Sequence, residues 1–159
     1  MPKVAYTFEV TLLGDRMPEE FIGKGQTISR TIRIGGEYAL NALHRIIFIA
    51  FDRYDEHLYE FQFGGKHPMD RNARCFQHKM QNDDFPALGE EPPGDAVLTR
   101  IDSLNLNVGD GFFYWFDFGD DWWHTIKVVS IGFATAKEAK PTVLARVGQS
   151  PPQYPELEE

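Results

Sequence analysis

Apolar and polar residues alternate along the first part of the chain with the two-residue period of a β-strand. From Val4 to Leu13 one face carries only apolar side chains, namely Val4, Tyr6, Phe8, Val10 and Leu12. Because successive strand residues point to opposite sides of a sheet, this pattern predicts a half-buried strand. A second strand is predicted from Thr27 to Ile34. Arg30 shares its inward parity, so we expect Arg30 to lie near a sheet edge or to pair with a carboxylate.

The period changes to that of a helix between Glu37 and Asp52. Four residues spaced four, three and four positions apart form one helical face: Leu40, His44, Ile47 and Phe51. Other apolar residues widen this stripe, namely Ala39, Leu43, Ile46, Ile49 and Ala50. We therefore expect one main helix that is well covered by the rest of the protein.

Beyond the helix, the pattern predicts strands that are separated by one long irregular stretch. His57 to Phe63 alternates as a third strand. Residues 64–95 have no sustained period, and only residues 72–80 suit a short helix. A short strand is predicted at 97–101. Residues 143–147 could form a last strand, before two prolines end regular structure.

The most distinctive stretch runs from Phe112 to Val129. Two runs rich in aromatic and β-branched residues flank a Gly-Asp-Asp sequence, which predicts a β-hairpin with an acidic turn. The two adjacent tryptophans point to opposite faces, so one is expected in the core and the other on the surface. The candidate ligand or partner surface is therefore formed by Asp117, Gly119, Asp120, Asp121, Trp122 and Trp123. Gly and Asp are also ordinary turn residues, so the turn could equally serve only as a connection.

Histidines and carboxylates suggest a second kind of site. If the fold brought them together, His44, His57, His124 and Asp117 could bind a divalent metal such as zinc, iron or manganese. The alternative is a polar core, in which Asp117 pairs with His44 or His57, because an unpaired buried carboxylate is costly. Cys75 and His78 could form a thiolate and its base, but a lone structural cysteine is the simpler interpretation.

Length and composition limit the class of protein. A chain of 159 residues with 42% hydrophobic residues suits one domain over 1–159, with an irregular insertion at about 64–95 and a frayed acidic tail at about 155–159. The net charge of -8 argues against broad nucleic-acid binding. The single cysteine excludes an internal disulfide and favours the cytoplasm. We expect neither a secretory signal nor a membrane span.

Three patterns carry a resemblance to a known family. They are Leu43-His44 in the helix, His57-Leu58-x-x-Phe61 in the third strand, and Tyr114-x-x-Asp117-Phe118-Gly119-Asp120-Asp121-Trp122-x-His124 in the hairpin. The chain in these respects resembles the Ri-plasmid ORF-3-like family, uncharacterised prokaryotic proteins of which some are encoded on plasmids and mobile elements. The resemblance implies an α+β fold, with one main helix on a mostly antiparallel sheet in the order β-β-α-β-(long loop)-β-β. It implies no established activity.

The chain also departs from the family pattern. Residues 18–22 replace a Pro-x-x-Trp-Arg step, and Tyr54 stands where Trp is common. The family's C-terminal Pro-Pro-Glu-Asp is Pro151-Pro152-Gln153-Tyr154 here. A role that those two carboxylates have in relatives is therefore not carried over to this chain.

Three hypotheses about function follow. The first is a non-enzymatic interaction or ligand-binding module, which presents the hairpin at 112–129 to a protein or small-molecule partner. The second is a metal-dependent, hydrolase-like enzyme, in which a divalent metal held by the His and Asp cluster activates water. The third is a nucleic-acid-associated accessory protein of mobile elements, which the family association suggests and the negative charge opposes.

Overall fold

The computed structural model describes residues 2–13, 27–78 and 93–154. Within these ranges the chain forms eight strands, one α-helix and one short 3-10 helix. In chain order they are β1 (Lys3–Leu12), β2 (Ser29–Gly35), α1 (Leu40–Ala50), β3 (Tyr59–Phe63), β4 (Arg74–Gln77), β5 (Gly94–Asp95), the 3-10 helix (Ile101–Leu104), β6 (Gly111–Phe116), β7 (Trp122–Ala134) and β8 (Thr142–Val147).

All eight strands belong to one sheet, in the order β5-β4-β3-β6-β7-β1-β2-β8. The sheet is mixed, because β4 and β5 are parallel while the other neighbouring strands are antiparallel. The fold predicted from the sequence is therefore wrong. A large mixed sheet dominates the structure, and the order implied by the resemblance omits β4, β5 and β8. The residue pattern alone predicts a last strand at 143–147, where β8 lies.

Residues 64–95, interpreted from the sequence as an irregular insertion, contain two of the strands that the sequence does not predict, β4 and β5. β4 has only four residues, too few to reveal a period, and it pairs with β3 where a short helix was predicted for 72–80. Cys75 is buried in this strand. β5 has only two residues. The strand predicted at 97–101 is also wrong, because turn residues lead there into the 3-10 helix. Residues 14–26, 79–92 and 155–159, with the predicted tail, lie outside the described residues.

α1 begins later than predicted, at Leu40, and the backbone of its first turn is hydrogen-bonded to the segment that follows β5. Leu40 and Asn41 donate their backbone N–H groups to the carbonyl oxygens of Thr99 and Ala96, and no side chain caps the helix. At the other end Asp52 has a φ of 57° and Arg53 N–H donates to Phe48 O, an arrangement that ends helices.

The core lies between α1 and one face of the sheet. The inward faces of β1, β2, β3, β6 and β7 supply most of it, as the alternation of β1 and the hairpin predicted. The helical stripe is buried at Leu40, His44, Ile47 and Phe51. The helix is less covered than expected, because Ile49 is 57% exposed.

Arg30 joins three elements through backbone carbonyls. Its Nε donates to Ala50 O at the end of α1, and its Nη1 donates to Ser29 O, Val147 O and Gly148 O at 2.7–3.0 Å. β2 is next to the edge strand β8, which agrees with the expected position near an edge. Carbonyl oxygens rather than a carboxylate satisfy this buried cation, as the negative end of a helix dipole favours.

Candidate functional site

The turn of the β6–β7 hairpin is built on two aspartates. Asp121 N–H donates to Asp117 O at 2.7 Å, and Asp120 N–H donates to Asp117 Oδ1 at 3.2 Å. Asp117 and Asp121 have φ values of 61° and 57°, a left-handed conformation that Asp tolerates better than most residues. The positive φ angles therefore fall on the aspartates and not on Gly119, which lies exposed in the turn.

The two adjacent tryptophans of the hairpin, Trp122 and Trp123, are both buried, so the prediction that one of them lies on the surface is wrong. Trp122 faces the core, while Trp123 lies on the other side of the sheet under Trp115, with ring centroids 4.9 Å apart. Phe118 stacks on Trp115 at 4.0 Å. Trp115 Nε1 also donates to Asp121 Oδ1 at 2.8 Å. Next to the turn, the partly exposed aromatic residues are therefore Trp115 and Phe118, which are absent from the predicted set.

His44 connects α1 to the hairpin through a relay that is buried except at its Glu56 end, which is exposed. Its Nε2 lies 2.6 Å from Glu56 Oε1, and its Nδ1 lies 2.6 Å from the Tyr114 hydroxyl. An ionised carboxylate only accepts hydrogen bonds, so Nε2 carries the hydrogen and Nδ1 accepts from Tyr114. Burial lowers the pKa of His44, and the hydrogen bond with Glu56 offsets only part of this effect. The ring is neutral at neutral pH.

His124 is fully buried on the other side of Tyr114. Its Nε2 lies 2.8 Å from Arg53 Nη2 and its Nδ1 lies 3.2 Å from Tyr114 O. A guanidinium only donates, so Nε2 accepts and Nδ1–H donates to the carbonyl. Burial and the charge of Arg53 hold the pKa of His124 well below its usual value. Burial lowers the pKa of Arg53 to about 10, so Arg53 remains charged at neutral pH.

His57 belongs to a third, partly exposed group. Its Nε2 lies 3.4 Å from Asp117 Oδ2, which confirms the predicted pairing of these residues. The Tyr154 hydroxyl lies 2.6 Å from the same nitrogen and 2.5 Å from Asp55 Oδ2. The single hydroxyl hydrogen goes to the Asp55 carboxylate, so His57 Nε2–H donates to the phenol oxygen. The bond to Asp55 raises the pKa of Tyr154.

Gln153 anchors the loop that carries this group. Its Oε1 accepts from the N–H groups of Tyr54 and Asp55 at 2.9 and 3.1 Å, and its Nε2 donates to Asp55 O at 2.7 Å. Gln153 and Tyr154 are two of the positions where the sequence departs from the family pattern. That departure was the only sequence signal for their place in the site. We define the turn site as Asp55, His57, Asp117, Asp121 and Tyr154.

A model of the family described as plasmid pRiA4b ORF-3-like protein matches residues 20–154 of the chain. The chain belongs to the plasmid pRiA4b ORF-3-like family. This confirms the resemblance seen in the helix, strand and hairpin patterns. The match includes every residue of the turn site and both buried histidine relays, so these groups lie within the family domain.

Structural comparison places this member of the pRiA4b ORF-3-like family beside an archaeal protein. A crystal structure of the protein of unknown function MM3350 from Methanosarcina mazei Go1 matches with a TM-score of 0.72. The sequences are 19% identical over 96% of this chain and 75% of that chain. At this identity the likeness shows a shared fold alone. A search of curated proteins found no significant match.

The candidate metal ligands of this family member do not come together as one set. His44 contacts Glu56 and Tyr114, His124 contacts Arg53, and only His57 and Asp117 approach each other. Among the residues that the structure describes, no group of three or more His, Cys, Asp or Glu side chains is placed to hold a metal ion. Arg53 also occupies the lone pair that His124 Nε2 would offer to a metal.

The turn site is acidic and has an aromatic border. Over the described ranges, no Lys or Arg lies within ion-pair distance of Asp55, Asp117 or Asp121. The Oδ2 atoms of Asp55 and Asp117 lie 3.7 and 3.4 Å from His57 Nε2. Tyr54 is 67% exposed and packs edge-on against Tyr154 with ring centroids 6.0 Å apart. The site therefore presents negative charge beside accessible rings. None of the described helices is long and apolar enough to cross a membrane.

Proposed function

We propose that this protein is a non-enzymatic binding module whose turn site takes a cationic group of a protein or small-molecule partner. The observation that carries the proposal is that Asp55 and Asp117 lie around His57 beside the rings of Tyr54 and Tyr154, and Asp121 lies beside Trp115. Within the described residues, no Lys or Arg lies within ion-pair distance of these three carboxylates. Carboxylates form charge-assisted hydrogen bonds with ammonium and guanidinium groups, and aromatic faces add cation–π attraction.

The charge of the whole chain supports the same partner class. A net charge of -8 favours the approach of positively charged molecules and repels polyanions such as nucleic acids. The nucleic-acid hypothesis therefore gains no support from the charge.

The carboxylates of the turn site are held in place before any partner arrives. Gln153 fixes the backbone of Asp55, the Leu58 carbonyl accepts the N–H of Asp117, and Trp115 Nε1 donates to Asp121. Groups that are already ordered lose less conformational entropy on binding, so more of the attraction appears as affinity. This arrangement supports recognition by a rigid surface.

The hydrolase alternative has weaker support. Glu56, His44 and Tyr114 follow the order of carboxylate, imidazole and hydroxyl that activates a nucleophile. However, Tyr114 is 0% exposed, and burial raises its pKa well above the usual value. A hydroxyl that substrate cannot reach and that resists ionisation suits a structural relay.

A pair of peptides tests the proposal. We expect a capped tetra-arginine peptide to bind the protein in isothermal titration calorimetry at low salt, and the neutral tetra-citrulline peptide to bind much more weakly. Asp55→Asn and Asp121→Asn should each weaken tetra-arginine binding by about three- to fivefold, since a screened charge pair contributes up to about 1 kcal/mol.

Asp110→Asn is the matched control. Asp110 is an exposed carboxylate at the opposite end of β6, where it accepts the N–H of Asn107, a bond that an Asn side chain can also accept. This variant should bind like the unaltered protein. Equal binding of the two peptides, or an equal loss in all three variants, would show that the turn site does not recognise the cation.

A further inference from the structure

A cavity of about 450 Å³ opens at the other end of β3 from the turn site. Its floor is formed by Phe63 and Phe76, and Leu98 and Leu104 contribute apolar walls. Phe63 has the same strand parity as Tyr59, which stacks on His44 of α1, so the cavity lies on the helix side of the sheet. The volume falls within the range of about 300–1,000 Å³ that is common for small-molecule sites.

The aromatic floor of this cavity is fixed by its packing. The Phe63 ring stacks on buried Phe112 with centroids 4.3 Å apart and meets Phe76 edge-on at 5.5 Å. Leu98, in contrast, is 76% exposed. An apolar ligand body could therefore rest on rings that are already ordered and cover a leucine that is otherwise in contact with water.

One cation stands beside this apolar floor. Arg74 is exposed, and its guanidinium carbon lies 5.2 Å from the centroid of the Phe76 ring. Across residues 2–13, 27–78 and 93–154, no hydrogen bond or ion pair engages the Arg74 side chain. Nearby Arg100, by comparison, is neutralised by Asp102 at 2.6 Å. Arg74 thus keeps its donors available in a chain that is strongly acidic overall.

The other polar groups around the cavity differ in their availability. Thr99 Oγ1 donates to Asp95 O, and Ser103 Oγ donates to Arg100 O, both at 2.7 Å. Asn105 has a φ of 56° at the end of the 3-10 helix, and in the described part of the chain its side-chain amide makes no hydrogen bond. The donors left for a ligand are therefore the Arg74 guanidinium and the Asn105 amide.

We propose that this cavity binds a small organic anion, in which a carboxylate is joined to an apolar body. The planar guanidinium of Arg74 matches a carboxylate in two parallel hydrogen bonds, and the body of the ligand packs on Phe63, Phe76 and Leu98. The site is separate from the turn site and selects the opposite charge, so it does not depend on the function proposed above.

Titration of the ¹⁵N-labelled protein with 4-phenylbutyrate, followed by NMR, tests this proposal. We expect saturable shifts of the backbone amides of Phe63, Phe76, Leu98 and Asn105. The neutral isostere 4-phenylbutanamide should bind about tenfold more weakly, because it lacks the charge that strengthens the hydrogen bonds to Arg74. Absence of saturable shifts up to about 10 mM phenylbutyrate, or equal binding of the amide, would overturn the proposal.

The two variants change Arg74 and Leu98. Both side chains are exposed, so we expect the substitutions to leave the fold intact. Arg74→Gln should lower the affinity for phenylbutyrate by about tenfold and leave the affinity for the amide unchanged. Leu98→Ser should lower the affinity for both compounds by the same factor. Arg71→Gln removes the same charge three residues away, outside the cavity lining, and should have no effect. Equal effects of Arg74→Gln and Arg71→Gln, or shifts centred on the turn site, would show that Arg74 is not the recognition group.

Discussion

The buried histidines, His44 and His124, and the half-exposed His57 differ in how completely the hydrogen-bonding groups around them are used. In the buried relays both ring nitrogens of His44 and His124 contact a protein partner, at 2.6–3.2 Å. In the turn site, Asp117 Oδ2 lies 3.4 Å from His57 Nε2, beyond the usual hydrogen-bond distance. The ring nitrogens of the buried histidines have their bonding used within the fold, whereas the exposed carboxylates of Asp55 and Asp121 keep acceptor capacity for a partner.

Burial decides which of the two roles a polar group has. A buried donor or acceptor without a partner costs about 1–3 kcal/mol, so most buried polar groups of a protein are paired. A group in contact with water has no such requirement. The comparison predicts that changes in the buried relays alter stability, and that changes in the turn site alter binding.

The largest effect is expected at His124. His124→Leu should lower the free energy of unfolding by about 3 kcal/mol, because the charge of buried Arg53 loses its acceptor. Urea denaturation measures this change. Arg53→Met combined with His124→Leu should recover part of the loss, since no unpaired charge remains. A double variant as unstable as the sum of both single variants would mean that the two side chains are not coupled.

The next largest effect is expected at His44. His44→Phe should lower the free energy of unfolding by about 2 kcal/mol, because the buried Tyr114 hydroxyl is left without a partner. Adding Tyr114→Phe to this variant should cost little more in the same urea experiment. If Tyr114→Phe lowered the free energy of unfolding of the His44→Phe variant as much as that of the unaltered protein, the relay would be contradicted. Such a result would show that Tyr114 has another buried partner.

Stability should also fall as the pH is lowered below about 6.5, the pKa of histidine in an unfolded chain. The folded-state pKa values of His44 and His124 are lowered, so the unfolded chain binds more protons and the stabilisation is lost as pH falls from there towards the folded values. Urea denaturation at a series of pH values between 8 and 5 measures how steeply the free energy of unfolding depends on pH. His124→Gln should flatten this slope by up to about 1.4 kcal/mol per pH unit.

The smallest stability effect is expected in the turn site. Tyr154→Phe should change the free energy of unfolding by less than about 1 kcal/mol, because water can replace its hydroxyl bonds. Tyr114→Phe removes the same atom from a buried position and should cost more, about 1–2 kcal/mol. Equal losses in thermal or urea unfolding would remove the distinction between the two regions.

The sequence predicts elements that have a regular period and several residues. The alternation of β1, the stripe of α1 and the aromatic hairpin all appear in the structure, because burial of one face leaves a repeating pattern. β4 and β5 have only four and two residues, which is too short for a repeating pattern to be visible in the sequence. Alternation also places Trp123 on the outer face without showing that Trp115 covers it.

The partners of the histidines could not be predicted for a related reason. Glu56, Arg53 and Gln153 lie in irregular segments, where no period indicates the direction of a side chain. Only the tertiary fold brings residues 153 and 154 to the loop after α1. The pairing of His57 with Asp117 was predictable because both residues flank strands and a buried carboxylate requires a partner.

The order of strands in the sheet has a consequence for synthesis of the chain. β1 lies between β2 and β7, and its register pairs Lys3 with Ala134 and Leu12 with His124. Such distant pairings form slowly and only after the intervening chain exists. The edge of β1 that pairs with β7 therefore stays unpaired until residues 122–134 have left the ribosome, which makes this early strand a site where the nascent chain needs protection from aggregation.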